Sequence, residues 1–133
     1  LERLMTIDEF IQFRDKVGDG EGIPYPIDEN GHADIPAGTM YIKEEAFLNC
    51  SKLISVTIPD SVRGIRSLAF GGCKSLASVE ISSSGSLLIR NRAFAGCTSL
   101  IDVVFKNKPL KVIAKNAFEG CPCEEEVKKL PML

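Results

Sequence analysis

Cysteine and histidine are the most reactive side chains in this sequence, and both are scarce. The chain has 133 residues, with five cysteines and one histidine. A thiol nucleophile needs a base within hydrogen-bond reach, but the cysteines are predicted to be buried, away from the only histidine, His32. A zinc site needs about four ligands, and Cys121-x-Cys123 together with Cys97 does not have the spacing of two paired Cys-x-x-Cys knuckles. We therefore expect no metal site, and we expect His32 to be a turn or edge residue.

The sequence also contains no recognisable loop for binding ions or phosphates. The turn at Asp28-Glu29-Asn30-Gly31 is too short for a calcium loop, whose oxygen ligands are spread over about twelve residues. Gly71-Gly72 is not part of a glycine-rich phosphate loop. The sequence predicts no cofactor and no enzyme activity.

Four of the cysteines close copies of one phrase, Ala-Phe-x-x-Cys. The copies recur at intervals of 23, 24 and 24 residues, and a fixed period of this length is typical of a stacked repeat. An isoleucine stands five residues before each phenylalanine, and a leucine stands three residues after each of the first three cysteines. The phrases end at Cys50, Cys73, Cys97 and Cys121; the isoleucines are Ile42, Ile65, Ile89 and Ile113, and the leucines are Leu53, Leu76 and Leu100.

The apolar period changes within each repeat. Val56-x-Ile58, Val79-x-Ile81 and Val103-x-Phe105 alternate as in a strand, whereas Ala, Phe, Cys and Leu occupy one face of an α or 3₁₀ turn. These patterns predict an α/β repeat fold, a right-handed solenoid with parallel strands and short helical turns. We expect one internal column of phenylalanines and, at residues 82–86 of the third unit, a looser turn. The column would contain Phe47, Phe70, Phe94 and Phe118.

The cysteines at equivalent positions are not expected to form disulfides. Parallel neighbours lie ~4.8 Å apart and point the same way, whereas a disulfide brings two Cβ atoms to about 3.8 Å. We predict that Cys50, Cys73 and Cys97 are free and buried, and that Cys123 is the most exposed cysteine.

The run Leu53-x-x-Val56-x-Ile58-Pro59-x-Ser61-Val62-x-x-Ile65, continued by Ala69-Phe70-x-x-Cys73-x-x-Leu76, resembles the repeat of the BspA-like leucine-rich repeat proteins. The resemblance covers residues 33–122. It implies a leucine-rich-repeat fold and a module that binds proteins, with no catalysis by the repeats. It also implies a bacterial protein on the cell surface or secreted, with a role in adhesion. A cytoplasmic scaffold with the same fold is the alternative.

The segments that flank the repeats are predicted to be caps. Residues 1–32 contain a predicted amphipathic helix over 6–17, in which Thr6 and Glu9 have the spacing of a capping box. A solenoid needs its apolar ends covered, so we assign this helix to an N-terminal cap. A helix that docks into a partner's groove is the alternative. Residues 33–122 form four repeats, and residues 123–133 form a C-terminal cap with a short helix.

Two candidate binding surfaces follow from the outward positions of the repeats. The longer strands present His32, Asp34 and six further residues, and this strand face is the preferred site for a protein partner. The six residues are Ser55, Thr57, Ser78, Glu80, Asp102 and Val104. The shorter strands present Lys43, Arg66 and Arg90, a basic face that suits an acidic protein or a glycan.

Composition narrows the classes of partner. The net charge of -2 argues against nucleic acid, and no stretch approaches the ~18 continuous apolar residues of a membrane helix. The sequence does not start with methionine and shows no signal-peptide pattern, so we expect a processed or trimmed product.

Overall fold

The computed structural model describes residues 25–129, in which short strands alternate with turns. The strands are β1 (His32–Asp34), β2 (Tyr41–Ile42), β3 (Ser55–Ile58), β4 (Gly64–Ile65), β5 (Ser78–Ile81), β6 (Ser86–Ile89), β7 (Asp102–Phe105) and β8 (Leu110–Ile113). One helix, α1 (Glu124–Lys128), follows them.

The strands form two parallel sheets, one on each side of the core. The first sheet has the order β1-β3-β5-β7 and the second has the order β2-β4-β6-β8. Equivalent residues of successive repeats are paired, as in Val56 with Val79 and Ile65 with Ile89. The chain is therefore a parallel-strand β-solenoid, as the repeat predicted.

The prediction of short helical turns is wrong. The segments that contain Ala-Phe-x-x-Cys are consecutive tight turns, because their backbone N–H groups alternate between two kinds of acceptor. The N–H groups of Ala46, Leu48 and Cys50 donate three residues back, whereas those of Phe47 and Asn49 donate to the next coil. Asn49 has a φ of 58°, in the left-handed region, which is incompatible with a continuing helix. Inter-coil hydrogen bonds thus replace helical ones.

The predicted phenylalanine column is confirmed. Phe47, Phe70, Phe94 and Phe118 lie face to face, with ring centroids 5.0, 4.9 and 4.9 Å apart. Tyr25 continues the stack at 5.7 Å from Phe47. The rings keep the spacing of the parallel strands, which explains why each repeat carries the same aromatic residue at the same position.

All five cysteines are free and buried. The predictions for Cys50, Cys73 and Cys97 are confirmed, but the expectation for Cys123 is wrong, since only 4% of its surface is exposed. The Cys123 backbone N–H donates to the carbonyl oxygen of Leu100, which ties the start of α1 to the preceding coil. This bond holds Cys123 against the core.

The third repeat keeps regular strand pairing, but its turn at residues 82–86 is looser, as expected: no backbone hydrogen bond closes it, whereas the N–H of Val62 donates to the carbonyl oxygen of Pro59 in the second repeat. Ser83 is fully buried, and its hydroxyl donates a 2.6 Å hydrogen bond to the carbonyl oxygen of Val62 in the coil before. This side-chain hydrogen bond stands where the second repeat has its Pro-x-Ser-Val turn. Strands β6 and β8 are consequently as long as β5 and β7, so the second sheet is short only in its first two coils.

The two ends of the solenoid differ in what is described. The predicted helix over residues 6–17 lies outside the described residues. At the other end, α1 carries three glutamates in its first turn and Lys128 in its last, the order that the helix dipole favours, and it buries Val127. Within residues 25–129, no helix is long and apolar enough to span a membrane.

Candidate protein-binding surfaces

The outer face of the first sheet carries two rows of side chains in register. His32, Ser55, Ser78 and Asp102 form one row, and Asp34, Thr57, Glu80 and Val104 form the other. The alternating residues Val56 and Ile58, with their equivalents in the other coils, point into the core. The six residues of the predicted strand face therefore lie on one continuous surface.

The beginning of this face is a hydrogen-bonded cluster around His32. Nδ1 of His32 lies 2.6 Å from Oγ of Ser55, and Nε2 lies 3.1 Å from both Asp34 Oδ1 and Thr57 Oγ1. Asp28 fixes the backbone beneath the cluster, because its carboxylate accepts hydrogen bonds from the N–H groups of His32 and Asn30. These two bonds lower the pKa of Asp28.

The contact of Ser55, His32 and Asp34 unites a nucleophile, a base and a carboxylate, which the sequence analysis did not foresee. Acyl transfer also needs N–H donors for the oxyanion. The backbone N–H groups of Ile54 and Ser55 both donate to the carbonyl oxygen of Gly31 and are not available. These two N–H groups therefore do not form an oxyanion hole, and the side-chain hydrogen bonds of the cluster join β1 to β3.

The far end of the same face is more open. Glu80 forms a 3.0 Å ion pair with Lys106, while Val104 is 49% exposed beside it. Ile101, which directly precedes β7, is 67% exposed. Apolar and charged side chains thus alternate on the last coils, whereas polar groups that satisfy one another cover the first coils.

The predicted basic face is present on the second sheet, and two nearby cations are not part of it. Lys43, Arg66 and Arg90 follow their strands in register, because the N–H groups of Arg66 and Arg90 donate to Ile42 and Ile65. Arg63 is half-buried and donates to the carbonyl oxygen of Asp60, and Lys111 is buried with its Nζ 5.1 Å from the Phe105 ring. The last two cations point away from the basic face.

The sequence analysis missed an apolar row on the second sheet. Tyr41, Gly64, Leu88 and Val112 are paired across β2, β4, β6 and β8. They alternate with the buried isoleucines, so their side chains face outward. Tyr41 and Val112 are 49% and 48% exposed. The residue before each isoleucine of the repeat was the signal that could have revealed this row.

The thiols contribute no reactivity to either surface. Burial raises the pKa of Cys50. The hydrogen bond with Cys123 lowers the pKa of Cys121, but the contact with Cys97 and burial outweigh it and raise the value to about 12. Since the thiolate is the nucleophile and metal ligand, these cysteines are held in their unreactive form. Among residues 25–129, no group of three or more histidine, cysteine or acidic residues could hold a metal ion.

Two grooves lie outside the strand faces. One, of about 510 Å³, is lined mainly by polar residues next to the Asp28 turn, and Ile54 forms its apolar wall. The other, of about 380 Å³, separates α1 from the last coil and is lined by Ile113, Phe118 and Val127. Neither contains a residue of the predicted sites.

Comparison with known proteins supports the interpretation of these segments as leucine-rich repeats. The model of the BspA type leucine-rich repeat region matches residues 30–129 in six copies. Searches of curated proteins and of solved structures gave no match. The match spans most of the chain and all the described strands, and it agrees with the parallel sheets and the phenylalanine column. The chain therefore belongs to the family of BspA-type leucine-rich repeat proteins.

Proposed function

We propose that this chain is a protein-binding module without catalytic activity, and that its partner binds the outer face of the first sheet. Membership of a leucine-rich repeat family supports protein binding in general. The choice of an outward strand face rests on one observation, the contrast between inward and outward residues, and the first sheet is preferred over the second for its rigidity. Inward positions repeat almost unchanged, whereas outward positions change from Ser55 to Asp102 and from Thr57 to Val104. Packing does not constrain this variation, so it is free to encode a partner.

The first sheet is also well suited to binding in energetic terms. Its strands are held by continuous ladders, and the His32 cluster and the Glu80–Lys106 pair restrict side-chain motion. A rigid surface loses less conformational entropy when a partner binds. Val104 supplies exposed apolar area on this face, and apolar area buried at the centre of an interface contributes to affinity. We place the centre of the site on Glu80, Asp102 and Val104.

A display library of folded domains, selected on the immobilised full chain, tests this proposal. The variant Thr57→Arg/Glu80→Arg should lose the selected binders, with a melting curve close to that of the original chain. Its control is Arg66→Glu/Arg90→Glu on the second sheet, which should retain them. Binders that tolerate the first pair of changes and are lost with the second would place the site on the basic face.

A glycan or other polyanion on the second sheet is the second candidate. Lys43, Arg66 and Arg90 favour it, because no described ion pair neutralises these cations. Binding of this kind weakens steeply with ionic strength. Retention on a sulfated glycan column at low salt, lost in Arg66→Glu/Arg90→Glu, is the expected result for this candidate, and flow-through at low salt would exclude it.

We further propose that the protein works on a bacterial cell surface or after secretion, as an adhesion module, with a cytoplasmic scaffold as the alternative. Only family membership supports this location. Antibody labelling of intact and of permeabilised cells of the source organism distinguishes the two. Labelling of intact cells is expected, and labelling only after permeabilisation would favour the scaffold. The predicted helix over residues 6–17 remains a proposed N-terminal cap.

A further inference from the structure

The outer face of the second sheet contains an apolar strip, formed by the exposed side chains of Tyr41, Leu110 and Val112 and by Leu88, which is half-buried. Tyr41, Leu88 and Val112 are in one row across the sheet, and Leu110 lies two residues before Val112 in β8. Leu110 is 58% exposed, the most of the four. With strands ~4.8 Å apart, the row crosses about 14 Å of the solenoid. A strip of this kind normally needs a cover.

The first part of the strip is pre-organised by Gly64. A Cβ atom at residue 64 would lie 2.8 Å from Cδ1 of Tyr41, so the tyrosine ring occupies the space where the next coil has no side chain. The guanidinium carbon of Arg66 lies 4.9 Å from the centre of the same ring, on which it stacks. The ring is thus in contact with the backbone of Gly64 and with the guanidinium of Arg66.

A cationic row, formed by Lys43, Arg66 and Arg90, runs beside the strip. Each of these residues is two positions after the corresponding residue of the apolar row, which separates the rows by about 6.6 Å. All three are exposed, and they form no ion pair within the described part of the chain. The two rows contain no carboxylate. The surface therefore selects for an apolar ligand with negative charge on one side.

The apolar strip and the cationic row run parallel to each other, and this arrangement restricts the shape of a ligand that contacts both. An extended peptide sends successive side chains to opposite faces, so its acidic residues would point away from the cations. An amphipathic helix places apolar residues at i, i+3 or i+4, and i+7 on one stripe, with acidic residues along the flank. Its turn of about 5.4 Å is close to the coil spacing, which lets successive apolar residues meet successive coils.

We infer that the apolar strip and the cationic row together bind an amphipathic helix with an acidic flank, supplied by a partner protein. This site lies on the opposite sheet from the preferred site of the proposed function and does not depend on it, although it shares its cations with the glycan candidate. Charge complementarity identifies the ligand, and the exposed apolar area contributes most of the affinity.

The probe is a displayed library of 18-residue amphipathic helices, with one constant apolar stripe and flanks randomised among Glu, Gln and Lys. Selection on the immobilised full chain should enrich glutamate on one flank. Helices from this pool should bind Val112→Glu at least about tenfold more weakly. The matched control is Val104→Glu, because Val104 and Val112 are 49% and 48% exposed in consecutive strands that belong to different sheets. Val104→Glu should bind the helices normally.

Charge is tested separately. Arg90→Glu should weaken binding at least about tenfold and reverse the flank preference towards lysine, whereas Lys74→Glu, an exposed charge change on a turn, should do neither. The circular dichroism and melting temperature of each variant establish that it is folded. Absence of enrichment, flanks without charge preference, or equal loss in Val104→Glu would each overturn the inference.

One further outcome concerns residues 1–24. The predicted helix over 6–17 is itself amphipathic and carries Asp8 and Glu9. If Phe10→Asp in the full chain strengthens library binding to the strip, the cover is this segment of the same chain, and the assignment to a partner protein is wrong. Unchanged binding in Phe10→Asp is the expected result.

Discussion

The thiol of Cys73 donates a hydrogen bond to the carbonyl oxygen of Phe47, 3.0 Å away in the preceding coil. The same bond joins Cys97 to Phe70 at 3.0 Å and Cys121 to Phe94 at 2.9 Å. The carbonyl also accepts the N–H of the cysteine in its own coil, as between Cys50 and Phe47. The repeated cysteine is therefore both a small core residue and a link between coils, which explains its spacing from phenylalanine.

Substitution of Cys73 separates these two roles. Cys73→Ala removes the sulfur from a fully buried site and the donor to Phe47, and should lower the free energy of unfolding by ~1–3 kcal/mol. Cys73→Ser keeps a hydrogen-bond donor at this position, in a side chain that is smaller than cysteine. Chemical denaturation should show a smaller loss for serine than for alanine; an equal or greater loss would mean that the hydrogen bond adds nothing to stability.

The phenylalanine column should dominate the stability of the solenoid. Phe70→Ala and Phe94→Ala each leave a cavity between two stacked rings and should cost ~3–5 kcal/mol in the free energy of unfolding. The control is Ile101→Ala at an exposed position, for which we expect under ~0.5 kcal/mol. Losses below about 1 kcal/mol for both phenylalanines in urea denaturation are incompatible with a packed column.

The free energy of unfolding at alkaline pH should report the protonation of Cys121. The folded protein raises the pKa of Cys121 from 9.0 to about 12, so between these values the folded state keeps a proton that the unfolded state has lost. Stability is therefore unaffected below about pH 9 and falls as the pH rises through this window. Cys121→Ala should have a shallower decline than the original chain in denaturation curves from pH 8 to 11.

The same protonation predicts slow labelling of the native protein. All five thiols should react with a disulfide reagent at pH 8 far more slowly than in denaturant, since all five are buried and the pKa of Cys121 is raised. Fast reaction of Cys50, Cys73, Cys97 or Cys121, or a bridge between two of them in mass spectra of the native protein, would contradict the packing of the coils.

Gly64 and Tyr41 should be energetically coupled. Gly64→Ala places a methyl group 2.8 Å from the tyrosine ring and must displace it, together with the stacked Arg66. We expect a loss of ~1–2 kcal/mol. In a Tyr41→Ala background the same change should cost much less, and a double-mutant cycle measures the difference. Additive effects would show that the ring does not rest on residue 64.

The Ser55, His32 and Asp34 cluster should not act as an acyl-transfer site. A fluorophosphonate probe is expected to leave Ser55 unlabelled, because the nearby backbone N–H groups are already used in the ladder. The control for background labelling is Ser55→Ala. Labelling that disappears in this variant would reveal a catalytic function and overturn the assignment of the chain as a binding module.

The sequence alone determined the repeat and its inward side. Four copies of Ala-Phe-x-x-Cys at a constant period, with alternating Val56 and Ile58, were sufficient to predict parallel strands, buried thiols and the aromatic column. Those features depend on burial of apolar residues at fixed intervals, and a periodic pattern records burial directly. The predicted row of Ser55, Ser78 and Asp102 followed from the same alternation.

Only the tertiary structure decided what depends on contacts between coils. The Ala-Phe-x-x-Cys segments have helical spacing, yet they are turns, because N–H groups such as that of Phe47 find acceptors in the next coil. The hydrogen bond between His32 and Ser55 and the contact of Tyr41 with Gly64 each join residues more than twenty positions apart. Cys123 is buried because Leu100 holds its backbone. Such contacts depend on how the residues of one coil align with those of the next. The pattern of residues within a single repeat does not specify that alignment.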